Sequence, residues 1–167
     1  MGHMYSKEQL LEANNNPDSE FAQKVFTDIA RQDNDGFNRV MSAKKLHDKT
    51  LAQEIFTSHA IQKGWWRKLA IEETTDQKVL ADIAKNDNDI ELLLIAVDRL
   101  SDQKALEDVA LHAKSEDIRK KAVLKLTDSK VLLDVAKHDN HSGVRYVALT
   151  RLTDITALAE SADNEKQ

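Results

Sequence analysis

The sequence predicts an all-α protein, an α-solenoid of about five two-helix repeats with a period of 26 residues, preceded by a capping helix. Three observations carry that expectation. Residues 75–100, 101–126 and 127–152 are three gapless copies of one 26-residue unit, opening Thr75-Asp-Gln-Lys, Ser101-Asp-Gln-Lys and Thr127-Asp-Ser-Lys. A fixed period in this range is the mark of stacked repeats. Within each copy the apolar residues recur at helical spacing: Leu80, Ile83, Ala84; Leu106, Val109, Ala110; Leu132, Val135, Ala136. Laid backwards, the same ruler places 21–46 on 75–100 without a gap and makes 47–74 a divergent copy of 28 residues.

Residues 1–4 read as a cloning remnant and stay outside the fold reasoning. Residues 5–16 form the cap: Ser6 is the N-cap, with Gln9 three residues on for a capping box, and the run Asn14-Asn15-Asn16-Pro17 stops the helix. In each repeat a Ser or Thr (Thr75, Ser101, Thr127, Thr153) is expected to cap the first helix, with Asp next to it at the positive end of the helix dipole. Lys and Asp four apart (Lys24/Asp28, Lys78/Asp82, Lys104/Asp108, Lys130/Asp134) describe its solvated side, where such pairs contribute a few tenths of a kcal/mol. An Asp/Asn-rich turn such as Asn86-Asp87-Asn88-Asp89 stops it and caps the next. The second helix carries Leu92, Ala96, Leu100; Ile118, Ala122, Leu126; and Val144, Ala148, Leu152. In 47–74, Trp66 takes the place of Ile118, and the two extra residues fall in the turn around 57–64. A half-repeat at 153–160 and a polar tail at 161–167 close the chain.

Composition narrows the function. The chain is 41% apolar and 32% charged, which suits a folded domain. It has no cysteine, hence no disulfide, thiolate nucleophile or thiol metal site. The net charge of −5 argues against nucleic acid, whose binders are as a rule basic. No apolar run reaches the length of a membrane span, and a cytoplasmic monomer is the expectation.

The second helices bring a resemblance. Asp117-Ile118-Arg119-Lys-Lys-Ala122-Val123-Leu-Lys-Leu126 and Val144-Arg145-Tyr-Val-Ala148-Leu149 resemble HEAT-type repeats, in which Val-Arg is followed by Ala-Ala or Ala-Val and a Leu. The likeness runs from Phe21 to about Glu160, and the short units are similar to the compact bacterial kind, as in phycobilin-lyase-like repeats. It implies a right-handed superhelix with second helices on the concave face, used to bind proteins. Leu93 stands where the pattern has Arg, and Asn38 where it has an apolar residue.

Against that frame the chemistry-bearing residues are few. The recurring Arg39, Arg67, Arg119 and Arg145 are either an anion-binding ladder or structural partners of the turn aspartates Asp33, Asp87 and Asp139. Lys45, Arg99, Lys125 and Arg151, interrupted by Glu73, form either a basic stripe for an acidic partner or helix-end cations that suit the dipole. Trp65 is either an exposed anchor beside Leu69 or a local cover for the insertion. His138 and His141 are three apart but lack the three or four ligands a metal needs. There is no Gly-rich phosphate loop and no nucleophile elbow. The expectation is therefore a non-catalytic scaffold without cofactor or metal, binding another protein through Trp65, Leu69, Ile95, Lys121, Tyr146 and Val147 beside the basic stripe. A nucleic-acid module like the HEAT-like DNA glycosylases, or a lyase accessory, is the alternative.

Overall fold

The computed structural model describes residues 5–164, with side chains through Leu158. Eleven α-helices and no strand occur among the described residues. They divide into two compact units, one ending at Asp76 and one beginning at Gln77.

The first unit contains α1 (Lys7–Asn15), α2 (Glu20–Gln32), α3 (Gly36–Ala43), α4 (Lys49–Ala60) and α5 (Arg67–Glu73). The capping box on α1 forms: Ser6 Oγ accepts from the Gln9 N–H, and Gln9 Oε1 from the Ser6 N–H. Of α1 only Ala13 is buried. Helix α2 packs on α3, α4 on α5, and α3 against α4. The core is Val25, Phe26, Val40, Leu46, Phe56 and Ile71 with the alanines between them. Each such side chain contributes about 1.5–3 kcal/mol by leaving water. The insertion lies later than expected. Helix α4 continues through Thr57 to Ala60, so the enlarged connection is 61–66.

The second unit contains α6 (Gln77–Asn86), α7 (Ile90–Arg99), α8 (Gln103–His112), α9 (Glu116–Lys125), α10 (Ser129–His138) and α11 (Ser142–Asn164). Consecutive helices pair as α6/α7, α8/α9 and α10/α11. In addition α6 packs on α8, and α9 lies between α7 and α11. Leu80, Leu106 and Leu132 from the first helices are buried, as are Ala96, Ile118, Ala122, Val144 and Ala148 from the second. The i, i+3, i+4 stripe is thus the core-facing one.

Three expectations change. Ser101 and Thr127 do not cap their helices. Asp102 and Asp128, one residue later, accept the N–H bonds at the start of α8 and α10, because the carboxylate reaches the second and third residues of the helix. The Ser and Thr lie outside, held by a glutamine described below. Thr153 caps nothing. It lies inside α11, its hydroxyl donating to the Leu149 carbonyl, so 153–160 is not a separate half-repeat helix. The expected polar tail is helical through Asn164, and its last three residues, like the expected remnant 1–4, lie outside the described residues. Finally, of the Lys/Asp pairs four apart, Lys24–Asp28 closes at 2.7 Å. Asp108 instead takes Lys85 of α6 at 2.5 Å and His112 at 2.9 Å, and Asp134 takes His138 at 2.8 Å. No described helix is long and apolar enough to cross a membrane.

Candidate functional site

In the first unit the connection 61–66 ends on Gly64, Trp65 and Trp66. Trp66 turns inward and is half-buried. Its ring packs so closely on Gly36 and Gly64 that a Cβ at either glycine would meet it at 2.4 Å. Those two glycines are therefore what allows a tryptophan here. The accommodation is incomplete, since the buried Trp66 Nε1 has no hydrogen-bond partner. Trp65 turns outward and is 70% exposed. Its ring lies 4.5 Å from Phe37 at the start of α3, tilted by 30°, and 6.2 Å from Trp66, nearly edge-on. An exposed indole backed by two rings is a preorganised aromatic surface, and aromatic pairs of this kind add about 0.5–1.5 kcal/mol to the burial of their area. Leu69, in α5, is half-buried. Arg67 anchors the base of this connection, its Nε donating to the Ala60 carbonyl at 2.7 Å.

The recurring arginines have structural positions. Arg39 Nε donates to the Ala30 carbonyl (2.8 Å) and Arg145 to the Asp139 carbonyl (2.9 Å), as Arg67 does to Ala60. Each serves the end of the preceding helix, where carbonyls lack intrahelical donors. The expected pairing with a turn aspartate occurs for Arg119. Its guanidinium grips Asp139 with two bonds, at 2.7 and 3.0 Å, and also donates to Asn140 and to the Ala113 and Lys114 carbonyls. Burial pushes the Asp139 carboxyl up, but the Arg119 guanidinium and the His141 N–H outweigh it and hold the group below its ordinary value. The side chains are 9% and 7% exposed, so this pair joins α9 to the turn after α10 rather than presenting a charge to solvent.

The basic stripe is engaged in the same way. Lys45 donates to Asn14 and lies 5.0 Å from the Phe26 ring centre. Glu73 pairs with Lys44 at 2.6 Å. Lys125 donates to the Val97 and Asp98 carbonyls at the end of α7, and burial holds its ammonium below the usual lysine range. Arg151 donates to the Leu126 carbonyl at 3.2 Å. Arg99, the last residue of α7, is exposed. Of the remaining expected contacts, Ile95, Lys121 and Val147 are half-buried on α7, α9 and α11, with Lys121 2.7 Å from Asp98. Tyr146 is 70% exposed. The predicted contact set thus divides: Trp65 and Leu69 belong to the first unit, and Ile95, Lys121, Tyr146 and Val147 to the second.

Other sites offer less chemistry. A cleft of about 210 Å³ opens beside α1, lined by Tyr5, Asn14, Phe26, Asp33, Asn38 and Lys45 among others. Its polar groups bond one another or nearby groups: Lys45 with Asn14, Tyr5 with Asp28, and Asp33 with the Asp35 N–H. His141 pairs with Glu116 at 2.5 Å, and no group of three or more potential metal ligands is gathered among the described residues.

Two features escaped the sequence reading. Phe37, the ring that supports Trp65, carried only the weak signal of a rare aromatic in an Asp/Asn-rich turn. The second is a glutamine clamp. Gln23, Gln53, Gln77 and Gln103 accept, through Oε1, the N–H of His47, Thr75, Ser101 and Thr127 respectively. Gln23, Gln53 and Gln103 also donate to a carbonyl just upstream, at Lys45, Glu73 and Lys125. The recurrent Gln beside Asp in the repeat opening was its visible trace. Compared with known proteins, the chain matches no family model, no curated protein and no solved structure.

Proposed function

We propose that this chain is a non-catalytic, HEAT-like repeat scaffold that binds another protein, and that the exposed Trp65 on Phe37 is the anchor of that interface. The carrying observation is the 70% exposure of a tryptophan whose ring is already fixed against a second ring. Exposed apolar anchors of this kind are enriched at binding hot spots, and a rigid one loses little conformational freedom on association. The right-handed solenoid form, the count of five repeats and the period of 26 belong to the same reading. The count and the period rest on the gapless copies and on the consecutive pairing of helices in each unit, and the right-handed form rests on the resemblance to HEAT-type repeats.

The engagement of the cations supports a protein partner over nucleic acid. Lys45, Lys125, Arg151, Arg39, Arg67, Arg119 and Arg145 all donate to groups within the protein. Bound in this way, these cations have fewer donors left for phosphate oxygens, the contacts on which nucleic-acid affinity largely rests. In affinity capture from the native host, the wild type is expected to retain a protein that Trp65→Ala and Leu69→Ala together lose, with the helical circular dichroism unchanged. Equal capture by both removes Trp65 from the interface. A gel shift at low salt, where phosphate contacts are strongest, is expected to show no nucleic-acid binding.

A further inference from the structure

The four glutamine clamps share one consequence. At every position where a glutamine side chain takes the N–H of residue 47, 75, 101 or 127, the second helix has ended and a new helix starts within a few residues. In an uninterrupted helix that N–H would bond the carbonyl four residues back. The clamp diverts it to Oε1, which satisfies the donor while the chain turns.

One junction lacks the clamp. Residue 129, aligned with Gln77 and Gln103, is serine, too short to reach Thr153. Here the helix does not stop, and α11 runs from Ser142 to Asn164. Yet Leu152-Thr153-Asp154 repeats Leu126-Thr127-Asp128, including the aspartate that caps α10.

The apolar residues show what the continuous helix leaves uncovered. Val97 and Val123 are fully buried, whereas Leu149, at the same place in α11, is 53% exposed. Leu100 and Leu126 are 1% exposed, and Leu152 is half-buried. Leu106 and Leu132 are at most 1% exposed, but Leu158, their counterpart, is 67% exposed. Leu149 and Leu158 are nine residues apart, which at about 100° per residue puts them on opposite faces of a straight helix. Only a break between them brings them together.

We propose that residues 153–164 are a first helix held open, that the Leu152–Thr153 joint is a two-state hinge, and that Ser129 sets it to the open state. In the closed state the chain turns at Thr153, Asp154 caps the arm, and Leu158 covers Leu149 and Leu152. Closing forms the missing layer from residues already present. Opening it leaves Leu149 and Leu158 largely in water and Leu152 half-covered, and keeps one helix intact. The joint is thus a conformational device that can be moved by one side chain or by anything that covers the exposed leucines.

The test uses the absence of cysteine from the chain. Spin labels are placed on the full chain at Ser142→Cys and Asn164→Cys, and their separation is read by pulsed electron paramagnetic resonance. The open helix sets them about 33 Å apart at 1.5 Å per residue. The closed form turns the arm back at Thr153 and brings them to a markedly shorter distance. The wild type is expected at the long distance. Ser129→Gln is expected to add or shift to the short one, and Ser129→Gln with Asp154→Ala to return to the long one. A wild type already at the short distance, or a Ser129→Gln distribution identical to wild type, overturns the proposal.

Discussion

The turn between α8 and α9 and the turn between α4 and α5 occupy matching places in their helix pairs and are closed by different chemistry. In the first, Ile118 is fully buried and Arg119 makes five hydrogen bonds, two of them to Asp139. Every donor it uses points at a fixed acceptor. In the second, Trp66 replaces the isoleucine, its N–H lies buried without a partner, and Trp65 is left outside on Phe37. The regular turn is satisfied and presents little. The divergent turn is filled by aromatic volume, carries an unsatisfied donor, and presents an apolar ring to water. Such a departure from local consistency is where a binding role is best sought.

The largest effect that would sharpen this contrast is at Arg119. Arg119→Ala leaves Asp139 buried without its cation and is expected to cost about 3–5 kcal/mol, read as a lowered midpoint in urea unfolding. A loss below about 1 kcal/mol would break the claim that the regular turn is held by that pair. Next comes Trp66→Ala. A buried aromatic truncation costs about 3–5 kcal/mol. Half-burial and the relief of an unpaired N–H reduce this to about 2 kcal/mol in the same assay.

Each unit also carries a titrating group that couples its stability to acid. His59, in α4, is 1% exposed, and burial holds its pKa below the ordinary 6.5. A lowered folded value means that the unfolded chain binds the proton more readily. Stability is therefore full above about 6.5 and falls as the pH drops toward the depressed folded value. His59→Gln is expected to flatten the melting temperature between pH 7 and 5. Asp139 is lowered from 3.8 and acts in the same direction further into acid. Its contribution is present above that value and lost as the pH falls through the folded one, so Arg119→Met should flatten this second decline. An unchanged profile in either variant removes the corresponding group.

Smaller effects separate caps and anchors from their neighbours. Asp102→Ala is expected to cost about 1 kcal/mol and Ser101→Ala only a few tenths, since the aspartate makes the cap bond. Trp65→Ala should change stability by less than about 1 kcal/mol, because most of its ring is already in water.

The helix pairs and the core were legible because each copy repeats a strict apolar spacing, and that spacing decides which face is buried. The cap residue was misread by one position, since Ser-Asp and Thr-Asp offer two good caps and the glutamine that takes the Ser or Thr N–H is distant in sequence. The run-on of α11 was masked by Leu152-Thr153-Asp154, which looks like every other junction; the missing partner is Ser129, 24 residues upstream. The exposure of Trp65 was one of the two readings that its place beside Trp66 left open. Its support by Phe37 was not legible, because no local pattern links α3 to the connection after α4.

The central claim, that Trp65 is the contact surface and Trp66 its structural base, is open to one direct measurement. The chain has only two tryptophans. In Trp66→Phe the remaining fluorescence comes from Trp65, and its quenching by acrylamide can be followed while the captured partner is added. Strong quenching of the free protein that falls on saturation with partner is the result expected. Quenching that stays unchanged while the partner is bound would contradict it.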